Sequence, residues 1–112
     1  HYPLRRQRQM CIRDSLITAG LRGNVFRGLK NGAQWEPVRT NTTSLINDIV
    51  LTSDDRVLLL GNNGTLLISD NDGQRFMARP QQDGKALIAG AWFKNKLVAT
   101  SEDGIKTITI SK

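Results

Sequence analysis

The sequence has few of the residues from which catalytic and metal sites are usually built. The chain of 112 residues contains one Cys, one His and one Tyr, and the His and the Tyr are its first two residues. A lone Cys excludes a disulfide framework and a multi-cysteine zinc site. General acid–base catalysis and nucleophilic catalysis rely heavily on these residue types. The composition therefore disfavours most enzyme classes, and we predict no catalytic residues, no metal and no cofactor in this chain.

Long apolar segments and aromatic side chains are scarce as well. Hydrophobic residues make up 38% of the chain and aromatic residues 5%. No apolar run approaches the length of about 18 residues that a transmembrane helix needs. The sequence thus predicts one small domain with a modest core and no transmembrane segment.

The charge of the chain is positive but unevenly spread. Sixteen Lys and Arg residues stand against ten Asp and Glu residues, which gives a net charge of +6, and half of this excess lies in residues 1–15. A basic protein normally suggests a nucleic acid or an anionic membrane as its partner. Because the remainder is only weakly basic and its aromatic residues stand at positions typical of packing, we predict no nucleic-acid partner.

Residues 1–15 differ in pattern from the rest of the chain. The string HYPLRRQRQMCIRDS shows neither alternation nor turn signals, and it resembles translated sequencing-adapter segments. Such segments are excluded from fold reasoning. The rival interpretation, a basic arm for nucleic acid or acidic lipid, would require interleaved aromatic residues or an amphipathic helical spacing. We predict a non-native or disordered basic tail over residues 1–15, followed by one folded domain over residues 16–112.

An internal repeat organises residues 16–112. Residues 20–35 align with residues 61–76 without a gap, and a third copy begins near residue 101. The aligned residues are Gly20 with Gly61, Gly23 with Gly64, Gly32 with Gly73, Trp35 with Phe76, and Gly64 with Gly104 of the third copy. Matches of rare residue types in one register indicate tandem units. The units are predicted at about 16–43, 44–84 and 85–112.

Each unit is predicted to consist of short β-strands. Apolar residues recur in short runs rather than at helical spacing, and pairs such as Asn63-Gly64 and Asp72-Gly73 separate the runs. Asn-Gly and Asp-Gly favour tight hairpins because both positions accept a positive φ. The predicted strands are 44–52, 56–60, 65–69 and 75–79 in the middle unit, and 86–93, 96–100 and 105–110 in the third. No long helix is predicted.

Tandem units of about 40 residues with four antiparallel strands are typical of β-propeller blades. The predicted fold class is therefore all-β, a β-propeller fragment of about two to three four-stranded antiparallel blades. A β-sandwich or a meander is the alternative. The runs 45–51 and 86–92 are predicted to be innermost strands, and the segments around Trp35 and Phe76 outermost strands. Because propellers typically close with about four to eight blades, we expect missing blades or self-association to complete the ring.

The segment SDNDGQRF, residues 69–76, is similar to the Asp-box or BNR motif, Ser/Thr-x-Asp-x-Gly-x-x-Trp/Phe, with Asn71 where Asp is usual. Ser69 and Asn71 suit hydrogen bonds to the backbone of a hairpin, and Gly73 and Phe76 suit its turn and its packing. The first unit keeps only the glycine and the aromatic residue of this pattern. The residues predicted to have a structural role in boxes and turns are Ser69, Asn71, Gly73, Phe76, Gly32, Trp35, Gly61, Gly64 and Gly104.

The combination of turn glycine, strand, degenerate box and aromatic residue resembles the Asp-box propellers of the photosystem II stability and assembly factor family. The resemblance covers about residues 16–110. It implies a non-enzymatic scaffold for protein–protein interaction, with an unidentified protein partner, that assists assembly of a membrane complex. It also implies export to a periplasm, a thylakoid lumen or the cell exterior.

The alternative function is that of a fragment of a sialidase-like glycoside hydrolase, whose propeller carries the same boxes. Sialidases require an arginine triad, a Tyr with a Glu, and an Asp. Outside residues 1–15 the chain has no Tyr, and its glutamates are Glu36 and Glu102, so this alternative needs an active site in missing blades. The candidate residues for contact with the acidic groups of a partner are Arg22, Arg56 and Arg75, and a solvated surface is their simpler explanation.

Overall fold

The computed structural model describes residues 8–12, 15–29, 34–71 and 73–110. Within these ranges the chain forms eleven β-strands and one short 3₁₀ turn, Leu21–Gly23. All strand pairs are antiparallel, and the strands of each sheet follow one another in chain order. The predicted all-β fold class is therefore confirmed.

The strands form three sheets. Sheet 1 contains β1 (Arg8–Ile12), β2 (Ser15–Ala19), β3 (Val25–Leu29) and β4 (Gln34–Val38). Sheet 2 contains β5 (Ile46–Leu51), β6 (Val57–Gly61), β7 (Leu66–Ser69) and β8 (Met77–Ala78). Sheet 3 contains β9 (Leu87–Phe93), β10 (Lys96–Ser101) and β11 (Gly104–Ile108). Sheets 2 and 3 lie within residues 44–84 and 85–112, whereas sheet 1 begins before residue 16, and β5 and β9 coincide with the runs that the sequence predicts as innermost strands.

Sheet 1 differs from the sequence prediction because it begins inside residues 1–15. Strand β1 pairs with β2, and Met10 lies opposite Ile17. The strand occupies the place that β5 and β9 hold in the other sheets, where it provides partners for the backbone N–H and C=O groups of β2. The expected absence of regular structure is thus wrong for Arg8–Ile12. The non-native origin of residues 1–15 stays a prediction.

Hairpin turns are seen at the predicted pair Asn63-Gly64 and between the predicted strands 86–93 and 96–100, whereas Asp72 of the pair Asp72-Gly73 lies outside the described residues. Asn63 and Gly64 have φ of 59° and 70°, and Lys94 and Asn95 have φ of 51° and 64°. These pairs of positive φ are typical of type I′ hairpins. The third sheet differs at its second hairpin, since β11 already begins at Gly104, which pairs with Ser101. The outer strand β8 begins directly after Phe76 and has only two residues.

Sheet 2 lies between two hydrophobic clusters. The cluster toward sheet 1 consists of Ile17, Ala19, Val25, Val38, Ile46, Ile49, Val57, Leu59, Leu67 and Phe76. The cluster toward sheet 3 consists of Val50, Leu58, Leu60, Leu66, Leu87, Leu97, Ala99 and Ile110. Side chains of a strand alternate between its faces, so Val57 and Leu59 point to one cluster and Leu58 and Leu60 to the other. Every residue of β6 is buried for this reason.

Polar contacts join sheets 2 and 3 at the inner strands. The carboxylate of Asp48 accepts hydrogen bonds from the N–H groups of Ile49 and Gly90, at 2.9 and 2.8 Å. The side-chain amide of Asn47 donates to the carbonyl oxygen of Leu87 at 2.9 Å. The pairing of β5 with β6 shifts register between Ile46 and Asp48, and this bulge frees Asn47 to reach the neighbouring sheet.

Candidate protein-binding groove

A groove of about 530 Å³ lies at the end of sheet 2 where the turn after β5 and the loop after β7 project. Its lining residues are Asp54, Arg56, Ile68, Asp70, Arg75, Met77 and Arg79. All of them belong to sheet 2 and its loops, although they are spread over 26 positions of the chain. The groove thus gathers side chains that the sequence presents as scattered.

Strand register explains how the groove forms. Arg56 directly precedes β6 and shares the face of Leu58, while Ile68 lies opposite Met77 in the pairing of β7 with β8. Ile68 is half-buried, whereas 69% of the Met77 surface is exposed. Met77 lies in the outermost strand of sheet 2 and is an uncovered apolar side chain beside the charged rim.

Arg56 is held in place by neighbours from two sheets. Its guanidinium lies 2.9 Å from a carboxylate oxygen of Asp54, and its Nε donates to the same carboxylate at 3.1 Å. The guanidinium also lies over the ring of Trp92, at 5.5 Å from the centroid, and this geometry allows a cation–π interaction. Thr52 Oγ1 accepts a hydrogen bond from Arg56 N at 2.8 Å. Arg56 is therefore a buried positioning residue at the base of the groove.

Arg75 and Arg79 form the exposed cationic rim. Both residues are exposed, and they lie on either side of Met77 in the chain. Three guanidinium groups thus line the groove against two carboxylates, those of Asp54 and Asp70. A groove that combines two apolar side chains, Ile68 and Met77, with excess positive charge suits a peptide that carries both apolar and acidic side chains.

The loop after β7 is ordered by its own side chains. The hydroxyl of Ser69 donates to Asn71 Oδ1 at 2.8 Å and accepts hydrogen bonds from Gly73 N at 3.0 Å and Asn71 N at 3.3 Å. Asn71 Oδ1 also accepts from Arg75 N at 3.1 Å. Through this last contact the loop fixes the backbone that carries the rim arginine.

The same loop contacts sheet 1 through its glycine and its aromatic residue. Gly73 has φ of 80°, and a Cβ atom there would lie 2.4 Å from Ile17 Cδ1. Phe76 is buried in the cluster between sheets 1 and 2. The conformation and the space both require glycine at position 73.

The equivalent residues of sheet 1 are arranged differently. Trp35 lies opposite Gly28, and a Cβ atom at Gly28 would approach the Trp35 ring to 2.9 Å. The indole therefore covers the position that Ser69 occupies in sheet 2. Trp35 keeps 44% of its surface exposed. Gly32, the other predicted box residue of this unit, lies outside the described residues.

The predicted turn glycines meet different surroundings. A Cβ atom at Gly61 would lie 2.4 Å from the carbonyl oxygen of Leu45, and one at Gly64 would lie 2.9 Å from that of Gln81. Close approach of backbone thus accounts for glycine at these two positions. Gly104 has φ of 116° and open space around it.

The structure brings two of the three predicted partner-binding arginines together. Arg56 and Arg75 both line the groove, but Arg22 lies in the turn between β2 and β3, at the opposite end of the sheets. The sequence offers Arg79 only as one of several scattered arginines, and it does not indicate Asp54, Ile68 or Met77 as groove residues. Strand alternation could have placed Arg56 on the face of Leu58, but the pairing of the two-residue β8 is not visible in the sequence.

Two further observations describe the candidate site. Among the described residues, no group of three or more His, Cys, Asp or Glu side chains is arranged to hold a metal ion. The described part of the chain also contains no helix that is long and apolar enough to cross a membrane.

Comparisons with known proteins identify similar folds. No protein-family model and no curated protein match the chain. Among solved structures, the computationally designed Ika4 protein is 19% identical with a TM-score of 0.70, covering 92% of this chain and 64% of its own. YCF48 from Cyanidioschyzon merolae is 16% identical with a TM-score of 0.68, covering 95% of this chain and 35% of its own. YCF48 bound to D1 peptide is 10% identical with a TM-score of 0.58, covering 96% and 38%.

The fold is that of a β-propeller. The chain spans less than two thirds of the length of each of these structures. At such low identity the likeness concerns the fold alone. The predicted similarity to an assembly-factor propeller is borne out at that level.

Proposed function

We propose that this chain is a non-enzymatic β-propeller scaffold whose groove on sheet 2 binds an acidic, partly apolar segment of another protein. The observation that carries the proposal is the pairing of an exposed Met77 with the cationic rim of Arg75 and Arg79. Apolar contact supplies affinity, and the guanidinium groups select carboxylates and speed up association.

The base of the groove supports this function because it is already organised. Arg56 is fixed by Asp54 and by the Trp92 ring, so its charge contributes to the local field without a change of conformation. The loop of Ser69 and Asn71 fixes Arg75 from the other side. We assign these box residues a structural role, which is to hold the loop and the rim in position.

The comparisons are compatible with this proposal. A structure similar in fold to this chain is that of YCF48 bound to D1 peptide. We infer that this chain, like that propeller, binds a protein segment. The resemblance to the photosystem II assembly factor family favours a partner that is a subunit of a membrane complex.

The test is a binding titration with labelled peptides. One fluorescent peptide alternates Asp or Glu with Leu, and its counterpart replaces each acidic residue with Lys. We expect the acidic peptide to bind the full chain and the basic one to bind at least about tenfold more weakly. Binding should weaken as the salt concentration rises, because the rim is exposed to solvent.

Matched variants locate the binding site. Arg75→Ala with Arg79→Ala should reduce affinity for the acidic peptide about tenfold or more. Arg39→Ala removes an exposed arginine outside the groove and should change the affinity less than about twofold. If Arg39→Ala weakens binding as much as the rim variant does, the peptide is held by net charge and the groove is not its site.

The sialidase-like alternative is the weaker assignment. The groove does hold three arginines and two aspartates, but its lining residues include neither a Tyr nor a Glu. A retaining sialidase needs both beside the arginines. No observation on this chain favours hydrolysis over binding.

A further inference from the structure

The outward faces of sheets 1 and 3 are largely apolar. The outward face of sheet 1, defined by strand register, contains Leu16, Thr18, Phe26, Trp35 and Pro37. The outward face of sheet 3 contains Ala91, Phe93, Val98, Thr100, Ile105 and Thr107. The residues named for sheet 1 include no acidic or basic side chain. By strand register Lys96, which pairs with Phe93, belongs to the outward face of sheet 3 and is the one charged residue of that face within β9, β10 and β11.

The repeat shows what covers such a face when a neighbouring sheet is present. Phe26 of sheet 1 corresponds to Leu67 of sheet 2, and Trp35 corresponds to Phe76. Leu67 and Phe76 are 1% and 7% exposed because they pack on sheet 1, whereas Phe26 and Trp35 are 38% and 44% exposed. The outward face of sheet 1 therefore has the composition of a packed face without a sheet against it.

The outward face of sheet 3 can be compared with the face of sheet 2 that packs on sheet 3. Leu60 pairs with Leu66 in sheet 2, and Thr100 pairs with Ile105 at the same place in sheet 3. Leu66 is 1% exposed because it packs on sheet 3, whereas Ile105 is 79% exposed. The face toward the next sheet is thus mainly apolar in both sheets, although sheet 3 has Thr100 where sheet 2 has Leu60.

We propose that a second copy of this chain covers both faces, with the outward face of sheet 3 in one copy packed on the outward face of sheet 1 in the other. Within the chain, the corresponding faces already pack on each other twice, between sheets 1 and 2 and between sheets 2 and 3. The contact is heterologous and, made twice about a two-fold axis, it closes a ring. Two copies supply six sheets, which lies within the usual propeller range of about four to eight.

This contact is expected to be weaker than the contacts inside the chain. In sheet 2, Asn47 and Asp48 hydrogen-bond to the inner strand of the next sheet. Ile88 and Ala89 occupy the corresponding positions of β9 and have no side-chain donor or acceptor. The interface between copies therefore depends on apolar packing, and the dimer should dissociate on dilution.

The first test is the mass of the full chain in solution, measured by analytical ultracentrifugation over a range of concentrations. We expect a reversible equilibrium between the 12.5 kDa monomer and a dimer of twice that mass. A monomer at all concentrations overturns the proposal and leaves the faces for blades of another origin. A trimer, or a ladder of species that grows with concentration, overturns the closed ring of two copies.

The second test distinguishes a heterologous contact from pairing of like faces. Phe26→Asp and Ile105→Asp each place a charge in one face, and each alone should weaken dimerisation about tenfold or more. Mixing the two variants should restore a heterodimer, because one of its two contacts then joins two intact faces. If either variant alone still dimerises like the unmodified chain, like faces pair and the proposal is wrong.

Control variants distinguish loss of the contact between copies from misfolding and from effects at the proposed peptide site. Thr43→Asp changes an exposed residue outside both faces and should leave the dimer unchanged. Pro37→Asp and Thr107→Asp, at exposed positions of the same faces, replace the first pair if circular dichroism shows lost strand content. Arg75→Ala should weaken peptide binding without changing the mass, so the two proposals fail independently.

Discussion

Strands β6 and β10 occupy the same place in consecutive repeats, but they differ in burial. All five residues of β6 are buried, whereas in β10 only Leu97 and Ala99 are. β6 lies in a sheet with neighbours on both faces, and β10 lies in a sheet with one described neighbour. Burial at a repeat position is thus decided by the adjacent sheet and not by the strand itself.

The sequences of the two strands reflect this difference. β6 is a continuous apolar run, as expected for a strand covered on both faces. β10 alternates, with Lys96, Val98 and Thr100 on the outward side. Because of this alternation, the outward side of β10 contains polar residues that suit exposure to solvent. Val98 on the same side can still contact a weakly bound neighbour.

The largest expected effect comes from truncating equivalent residues of the two strands. Leu58→Ala removes a fully buried side chain and should lower the free energy of unfolding by about 3–5 kcal/mol. Val98→Ala, at the corresponding position of β10, removes a half-buried side chain and should cost less than about 1 kcal/mol. Denaturant titration at low protein concentration measures both values.

The free-energy cost of Val98→Ala should depend on protein concentration, unlike that of Leu58→Ala. If the outward face of sheet 3 becomes covered by another copy, the cost of Val98→Ala should rise with protein concentration, because association stabilises the folded chain. The cost of Leu58→Ala should keep its large value throughout. Equal costs for the two variants at the lowest concentration would contradict the assignment of Val98 to an open face.

The next effect concerns the loop by which sheet 2 contacts sheet 1. Gly73→Ala combines a positive φ with a predicted contact of 2.4 Å to Ile17 Cδ1, and it should lower the free energy of unfolding by about 2–4 kcal/mol. Gly84, in the connection to sheet 3, has φ of 64° but open space around it. Gly84→Ala should therefore cost only about 1–2 kcal/mol, from φ alone.

Thermal and denaturant unfolding of both glycine variants measure how much of the destabilisation comes from the positive φ and how much from the close contact with Ile17. Ile17→Val shortens the side chain that Gly73 faces, so in the Gly73→Ala background it should recover part of the loss. Identical costs at positions 73 and 84, with no recovery, would mean that Ile17 does not restrict the loop.

Much of the fold follows from local patterns in the sequence. The repeat register, the Asn63-Gly64 turn and the apolar runs of β5 and β9 predict three sheets and their strand order. Strand β1 could not be predicted, because Arg8–Ile12 shows no alternation. Its pairing is decided by the unsatisfied edge of β2, which is a tertiary effect.

The groove was less accessible to sequence reasoning than the fold. Arg56 and Arg75 were selected from a set of scattered arginines, but their proximity depends on the register of β7 with β8. Met77 appears in the sequence as an ordinary strand residue, and its exposure becomes visible only once β8 is seen to be the outermost strand of sheet 2. The inter-sheet role of Asn47 was missed because it depends on a bulge that no local signal marks.

The smallest expected effect concerns the ion pair at the edge of sheet 3. Lys106 Nζ of β11 donates to Asp83 Oδ2 at 2.8 Å, and Lys85 N donates to Asp83 Oδ1 at 3.0 Å. The hydrogen bond from Lys106, followed by that from Lys85, holds the pKa of Asp83 below its ordinary value of 3.8. The pair of Arg56 and Asp54 has a buried arginine, whereas this pair is more exposed to solvent and to salt.

The sign of its pH dependence follows from the lowered pKa. Since the folded chain holds the proton of Asp83 less tightly than the unfolded chain, the pair stabilises the fold above about pH 3.8. That contribution is lost as the pH falls through the lowered pKa. Asp83→Asn should therefore lower the unfolding midpoint slightly at neutral pH and low salt, and the difference should vanish in acid and at high salt. Lys106→Met should show the same pattern, and a midpoint difference that persists in acid would assign the effect to packing of the connection instead of charge.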